Sequence, residues 1–171
     1  MRKSDVLLCS AVILMLLFLM GVAYPGPDTT KMYNEAAALA RNGHIDDAIK
    51  RFLEVIEASP CYSLGHYGLG KAYLYKDGAY DDAVTHLKLS VHYDRRLAKG
   101  HFYLGMAYML KRKYTQSIGS FKTAYAIDPG IVESLYNIAV IYDITGRRGS
   151  AEWYYNKYVD EKNKKDTDIL F

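Results

Sequence analysis

Histidine and cysteine side chains are the groups in this chain best suited to metal binding or nucleophilic chemistry. The 171 residues include five histidines and two cysteines. His86 and His92 are six residues apart, which turns them to different faces of a helix, and His44 lies in a predicted turn. His66 and His101 occupy matching positions in two similar segments, where an imidazole packed between helices is the simpler interpretation. Because no cluster of His, Cys, Asp and Glu has ligand spacing, we predict no metal site.

Neither cysteine is placed for a disulfide. Cys9 lies inside an apolar N-terminal segment, whereas Cys61 directly follows Pro60. The two cannot pair within one folded domain, so we expect no disulfide framework. A half-buried structural cysteine is the simpler interpretation of Cys61, and a reactive thiol is the alternative.

The sequence also lacks the usual features of phosphate binding and acid–base catalysis. Gly65, Gly68 and Gly70 lie within a helical pattern and do not follow a strand, so they do not form a phosphate-binding loop. Glutamates and serines are scattered, without a base at helical spacing. We therefore predict no catalytic residue and no cofactor, and we do not expect an enzyme.

The charge of the chain gives no sign of a nucleic-acid partner. Lys and Arg total 22 against 19 Asp and Glu, for a net charge of +3. The densest basic cluster, around Lys162 and Lys164, is interleaved with Glu161 and Asp166, which is typical of a solvated helix end. We therefore predict that the protein does not bind nucleic acid.

The N-terminal segment, residues 1–24, has the composition of an export signal. Arg2 and Lys3 precede an uncharged apolar run over residues 6–20, and Ala23 offers a cleavage site. This pattern predicts a secretory signal peptide cleaved after Ala23, or a retained transmembrane signal anchor that forms an apolar helix. Both place the rest of the chain outside the cytoplasm, where it is either tethered to the membrane or secreted. A buried core helix is the third interpretation, but no uncharged surface elsewhere in the chain matches it.

The rest of the chain repeats one pattern with a period of 34 residues, once 35. The clearest copy reads His101-x-x-Leu104-Gly105-x-x-Tyr108, followed by Ser117-x-x-x-Phe121. Small side chains such as those of Gly105 and Ser117 let two helix backbones cross closely, and large neighbours fill the surrounding space. The pattern therefore predicts helix pairs that stack on one another.

Four pairs are predicted, and turn signals separate the partner helices of each pair. The segments are 29–62, 63–97, 98–131 and 132–165, preceded by a linker over 25–28 and followed by a C-terminal tail over 166–171. Within the segments, the expected helices are 29–42 with 45–58, 63–76 with 80–93, 97–111 with 114–127, and 131–145 with 148–163.

This pattern resembles the tetratricopeptide repeat over residues 29–165. Repeats two to four match well, whereas the first repeat departs from the pattern at Met32 and Glu35. The resemblance implies an all-α fold, a right-handed superhelical solenoid of four antiparallel helix pairs. It also implies that the first helices of the pairs line a concave groove that binds peptide segments of partner proteins.

Carried onto this sequence, the resemblance assigns a set of residues to the partner-binding groove. An apolar, aromatic middle is expected in repeat three, where Met106, Met109 and Leu110 predict a solvent-facing stripe. The groove residues are Tyr67, Lys71 and Tyr75 in repeat two, Lys99, Phe102, Tyr103, Met106, Met109 and Leu110 in repeat three, and Tyr136, Asn137 and Val140 in repeat four. The register also places Tyr33, Ala37 and Arg41 of repeat one there, with Glu133, Asp143 and Ile144 of repeat four.

Some members of this family hold a terminal carboxylate of the partner with lysine and asparagine pairs. The matching positions here carry Tyr33, Ala37, Gly68, Lys99 and Tyr103, so only one lysine remains. We therefore reject that mode of binding for this chain.

Two functions are compatible with these patterns. The first is a non-enzymatic scaffold, exported across or tethered to a membrane, that binds a peptide segment of a partner protein in its groove. The second is a self-assembling structural protein that buries its last helix and its C-terminal tail, Ile169-Leu170-Phe171, against another copy. The identity of the partner is not encoded in any motif.

Overall fold

The computed structural model describes residues 27–168, with side chains described for residues 28–164. This part of the chain contains eight helices and no strand. The helices are α1 (Pro27–Arg41), α2 (Ile45–Ala58), α3 (Ser63–Leu74), α4 (Tyr80–Tyr93), α5 (Ala98–Leu110), α6 (Tyr114–Ile127), α7 (Glu133–Ile144) and α8 (Arg148–Asp168). Consecutive pairs form repeats one to four, so the predicted all-α arrangement of helix pairs is confirmed.

The two terminal helices are longer than the sequence pattern predicts. Helix α1 begins at Pro27, two residues before the expected start, because proline at the first helical position lacks only an N–H that would have no helical partner. Helix α8 continues to Asp168, five residues beyond the expected end at 163. In this extension the Lys164 Nζ lies 3.0 Å from the Glu161 carboxylate, one turn earlier, which supports an exposed helix.

The turn within each pair contains one residue in the left-handed conformation. Glycine fills this position in three repeats, with φ of +83° at Gly43 and +75° at both Gly78 and Gly146. Arg112 fills it in repeat three with φ of +55°. Glycine is favoured there because it lacks the Cβ that clashes in this conformation.

Small residues allow the two helices of a pair to cross closely, as the pattern predicts. A Cβ added to Gly70 would lie 2.7 Å from the Leu87 side chain, and one added to Gly105 would lie 2.8 Å from the Phe121 ring. At the same crossing in repeat three, the buried Ser117 hydroxyl donates a 2.7 Å hydrogen bond to the Gly105 carbonyl. Leu87 and Phe121 are fully buried, so each crossing places a large side chain against a bare backbone.

The hydrophobic core is divided into three clusters, and each cluster joins neighbouring repeats. The first is built around Phe52 and Leu69, the second around Leu87 and Leu104, and the third around Phe121, Ile138 and Ile141. Helices contact their neighbours in sequence and, at the first two junctions, the first helix of the adjacent repeat. Each repeat therefore depends on the next to bury its apolar face.

An ion pair recurs at two of the three junctions between repeats. Lys76 lies 2.8 Å from Asp46 across the first junction, and Lys111 pairs with Asp81 at the equivalent place across the second. The equivalent positions at the third junction are Thr145 and Thr115, which cannot form an ion pair.

The predicted apolar helix at residues 1–24 lies outside the described residues. Among residues 27–168, no helix combines the length and the apolar composition that crossing a membrane requires. The signal peptide and the signal anchor therefore both stay predictions.

Candidate functional site

A pocket of about 680 Å³ opens between the first helices of repeats one and two. Its walls combine aromatic side chains, small residues and two cations. It is lined by Tyr33, Ala37, Ala40, Arg41, Gly43, Ile45, Phe52, Tyr67, Gly68, Lys71, Ala72 and Tyr75. The predicted groove residues Tyr67, Lys71 and Tyr75 are thus brought together in one cavity.

Glycine at position 68 makes room for the pocket floor. A Cβ added to Gly68 would lie 2.3 Å from the Phe52 ring, which is closer than any real contact. The missing side chain lets the ring of Phe52, which is 2% exposed, lie beneath the first helices of repeats one and two. Glycine costs a helix about 1 kcal/mol relative to alanine, and here this packing within the array explains it.

Tyrosines form the aromatic wall of the pocket. The Tyr67 and Tyr103 rings meet edge to face with centroids 5.6 Å apart. Burial raises the pKa of Tyr67, and the neighbouring phenols of Tyr103 and Tyr33 raise it further. Tyr75 is the most exposed large hydrophobic residue of the described chain at 65%, so it presents its ring at the mouth.

Two cations reach the pocket without a carboxylate partner. Arg41 and Lys71 form no ion pair within the part of the chain whose side chains are described. The Lys71 ammonium instead lies 4.8 Å from the centroid of the Tyr103 ring, over its face. No Asp or Glu is among the residues that line this pocket.

The apolar residues predicted in the groove of repeat three are more buried than a solvent-facing stripe would be. Phe102, Met106 and Met109 are half-buried and pack against the third core cluster. The Phe102 ring lies 5.5 Å from that of Phe121. Leu110 is 44% exposed and is the most exposed large apolar residue of helix α5. The difference arises because the half-buried side chains pack against the cluster of Phe121, Ile138 and Ile141, which covers the middle of helix α5.

The remaining predicted residues lie in different surroundings. Tyr103 contacts both Tyr67 and Phe102, so it connects the pocket to repeat three, and Lys99 is exposed. In repeat four, Asn137 and Val140 are half-buried, while Tyr136 is 45% exposed with its ring 5.4 Å from that of Tyr158. The structure therefore unites the repeat-two residues with Tyr103, and it places the repeat-four residues at the far end of the array.

Comparison with known protein families shows to which family the chain belongs. Models of the tetratricopeptide repeat match residues 33–97, 98–131 and 132–165, which together span most of the chain. The chain belongs to the tetratricopeptide repeat family. No curated protein matches the sequence.

Several solved structures share the fold at low sequence identity. A crystal structure of MamA is 20% identical, with a TM-score of 0.77, and the match covers 81% of each chain. MamA 41-end from Desulfovibrio magneticus RS-1 is 21% identical, with a TM-score of 0.73, covering 81% of this chain and 77% of that one. The first TPR of Spaghetti (RPAP3), bound to the HSP90 peptide SRMEEVD, is 15% identical, with a TM-score of 0.68, covering 73% of this chain and 98% of that one.

A pair of histidines joins the two helices of the second tetratricopeptide repeat. The Nδ1 atoms of His66 and His86 are 3.1 Å apart, and the ring planes are inclined by 19°. The His66 Nε2 lies 2.9 Å from the Pro60 carbonyl, which can only accept. We therefore assign the proton of neutral His66 to Nε2, so that the Nδ1–H of His86 donates to the His66 Nδ1.

The surroundings of this pair favour neutral imidazoles. Burial lowers the pKa of His66, which is 4% exposed. Burial and then His66 lower the pKa of His86, while Asp82 opposes the shift. The rings of Tyr73 and Tyr93 complete the aromatic surroundings.

Sequence reasoning anticipated that His66 is packed between helices but missed its partner. The sequence pattern relates His86 to His92 on the same helix, whereas the observed contact of His86 crosses from α4 to His66 on α3. Both histidines lie within about one helical turn of the crossing at which Gly70 meets Leu87, and this position is the feature of the sequence that could have predicted their contact. Within residues 28–164, no group of three His, Cys, Asp or Glu residues could hold a metal ion.

Proposed function

We propose that this chain is a non-enzymatic scaffold that binds an extended peptide segment of a partner protein along the groove formed by its first helices. The observation that carries the proposal is the open pocket between repeats one and two. Its aromatic walls, led by Tyr75 at 65% exposure, leave apolar surface uncovered beside two cations without carboxylate partners. Concave apolar surfaces with a few placed polar groups are typical of binding sites.

A peptide is the ligand that suits the shape of this surface. The tetratricopeptide repeat family implies a right-handed superhelix whose first helices line the concave side, which gives a long groove instead of a closed cavity. One related structure, the first TPR of Spaghetti, holds an HSP90 peptide. We extend this kind of ligand, but not its sequence, to the present chain.

The scaffold acts outside the cytoplasm in this proposal. The support is the order of Arg2, Lys3 and the uncharged run over residues 6–20, which is typical of a signal peptide or a signal anchor. The segment tethers the array to the membrane if it is retained, and the array is secreted if it is cleaved after Ala23.

Photocrosslinking with a matched control tests the groove. The photoreactive residue p-benzoylphenylalanine replaces Tyr75 in one full-length variant and Trp153 in another. Trp153 is a suitable control because it is 56% exposed but lies on helix α8, away from the pocket. We expect a partner protein to crosslink at position 75 and not at position 153.

Binding measurements on the captured partner complete the test. The segment that crosslinks is synthesised, and its affinity is measured for the full-length chain and for Tyr75→Glu and Trp153→Glu. A groove contact predicts a loss of roughly 2 kcal/mol or more for Tyr75→Glu and little change for Trp153→Glu. Equal affinities for all three proteins would contradict the groove as the binding site.

Self-association is the second candidate, and one observation favours it. Phe52, Leu87 and Phe121 occupy equivalent positions on the second helices of repeats one to three and are at most 2% exposed. Tyr155 occupies this position in repeat four and is 50% exposed. The last repeat therefore presents apolar surface that the other three repeats bury.

Sedimentation of the purified full-length chain separates the two candidates. Self-association through the last repeat predicts a mass that rises with concentration, a rise abolished by Tyr155→Glu and kept by Tyr75→Glu. The control is matched because Tyr75 is also an exposed tyrosine, at 65%, but lies at the groove pocket and not on helix α8. A monomer at every concentration would remove this candidate and leave the peptide scaffold.

A further inference from the structure

We infer that the groove is electrostatically polarised and selects a partner segment that is acidic at one end, apolar in the middle and basic at the other. The acidic end lies over repeats one and two, and the basic end lies over repeat four. This inference rests on the proposed function, because it names the chemistry of the peptide that the groove binds.

The positive end of the groove is the pocket between repeats one and two. Arg41 and Lys71 line it, and no carboxylate of the described side chains does. Two other cations of these repeats already have acidic partners, since Arg51 pairs with Glu35 and Glu54, and Lys76 pairs with Asp46. Arg41 and Lys71 are therefore the charges that this end of the groove offers to a ligand.

At the opposite end of the groove, helix α7 carries negative charge, while Arg148 at the start of α8 stands at the position equivalent to the pocket-lining Ile45. Asp143 occupies on helix α7 the register position of Ala40, which lines the pocket in repeat one, and its side chain is exposed. Glu133 is exposed near the start of the same helix. The positions of α7 equivalent to pocket-lining residues of the first helices carry no cation, as their residues are Tyr136, Asn137, Val140, Ile141, Asp143 and Ile144.

Apart from Lys99 at its start, helix α5 carries no Lys, Arg, Asp or Glu, so most of repeat three separates the two charged ends with uncharged positions. Its equivalent positions carry Phe102, Tyr103, Met106, Ala107, Met109 and Leu110. A gap of this kind keeps the ends independent, because ordinary salt screens charges over about 8–10 Å. A segment bound in the reverse direction would place its carboxylates beside Asp143 and its cations beside Lys71. Charge thus fixes the direction of the segment, while the apolar middle contributes affinity.

Three fluorescein-labelled peptides test the inference with the full-length chain. The acid-to-base probe is Glu-Glu-Gly-Tyr-Leu-Tyr-Gly-Lys-Lys, and the neutral probe replaces both charged pairs with Gln-Gln. The third probe carries Lys-Lys at both ends. We expect the acid-to-base probe to bind about tenfold more tightly than the neutral probe, and the doubly basic probe to bind least. The preference should shrink as salt is raised.

Charge variants locate the acidic end of the probe. Lys71→Gln and Arg41→Gln should each weaken the acid-to-base probe several-fold and leave the neutral probe unchanged. Lys88→Gln is the matched control, because Lys88 is an exposed lysine on helix α4 that does not line this pocket. Melting curves confirm that the variants are folded. In addition, a photoreactive group on the acidic end should crosslink to repeat one or two.

The outcomes separate this inference from the function on which it rests. If all three probes bound equally, and each bound more weakly to the Tyr75→Glu variant, the polarised groove would be overturned and the peptide scaffold would stand. Crosslinking of the acidic end to repeat four would overturn the direction. Absence of binding by every probe would also overturn this inference. In that case the peptide scaffold is tested separately, by photocrosslinking of the native partner at position 75.

Discussion

The hydrogen bond between His66 and His86 makes the second repeat sensitive to pH. Both folded-state pKa values are lowered, chiefly by burial, whereas a histidine in the unfolded chain titrates near 6.5. Below about pH 6.5 the unfolded chain therefore binds more protons than the folded one, and the free energy of unfolding falls as pH falls. The contribution of the pair to the free energy of unfolding is fully retained at pH values above this range.

Urea unfolding between pH 7.5 and 5 measures this effect. We expect the unfolding midpoint of the wild type to fall with pH, and His86→Gln to reduce that fall. His44→Gln is the control, because His44 is exposed in the turn between α1 and α2 and is remote from the pair. A pH dependence unchanged in His86→Gln would show that other groups cause it.

Two glycines in the same repeat should respond in opposite directions to alanine. A Cβ at Gly105 would lie 2.8 Å from the rigid Phe121 ring, so Gly105→Ala should destabilise by about 1–3 kcal/mol through overpacking. A Cβ at Gly119 would have nothing within 4 Å, so Gly119→Ala should stabilise helix α6 by about 0.5–1 kcal/mol. Thermal unfolding measures both, and equal shifts would mean that the crossing is looser than the structure shows.

These residues show where sequence reasoning succeeds and where it stops. The small residues at the crossings could be predicted because they recur with the period of the repeat. The His66–His86 contact could not, since it depends on how side chains 20 residues apart meet across a helix pair. The burial of Met106 escaped prediction for the same reason: its spacing fits the groove and the core equally well.

The helices themselves were predicted closely, and their ends less so. The six inner helices end within three residues of the expected limits, because paired small residues and turn glycines mark them. The start of α1 at Pro27 and the length of α8 were missed, since terminal helices lack a neighbouring repeat to define their limits. The pocket between repeats one and two follows from their stacking, but its volume depends on the Phe52 ring, which the register alone does not show.

The missing ion pair at the third junction can be restored. Thr115→Asp and Thr145→Lys together recreate the pairs found at the first two junctions, Lys76 with Asp46 and Lys111 with Asp81. An exposed pair of this kind should contribute about 0.2–1 kcal/mol of coupling, lost in high salt. A double-mutant cycle isolates the coupling from the loss of the Thr145 hydroxyl hydrogen bond to the Ile141 carbonyl. Zero coupling at low salt would mean that the third junction differs in geometry from the other two.

At the scale of the whole molecule, we propose that the N-terminal segment determines on which side of a membrane the array works. A reporter fused after Phe171 should lie outside the cytoplasm if residues 1–24 are a signal peptide or an anchor. The control removes residues 6–20, which should return the reporter to the cytoplasm. Cytoplasmic activity of the intact fusion would contradict the proposed export, and sequencing the mature N-terminus distinguishes cleavage after Ala23 from retention.

The array is built from contacts between neighbouring repeats, so its stability is not uniform along the chain. Each core cluster joins adjacent repeats, and repeat four has a neighbour on one side only within the described residues. In such an array the terminal units open more readily than the inner ones. We therefore expect the last repeat to unfold before the inner repeats.

The only tryptophan of the chain lies in that last repeat. Trp153 is on helix α8, with its ring 4.7 Å from that of Tyr154 and the Lys157 ammonium 5.3 Å away over its face. Tryptophan emission therefore reports on one end of the molecule, whereas far-ultraviolet ellipticity averages over every helix, including the eight of residues 27–168. During denaturation the emission change should precede the ellipticity change, so the native chain carries its own optical probe of end fraying, with no label attached.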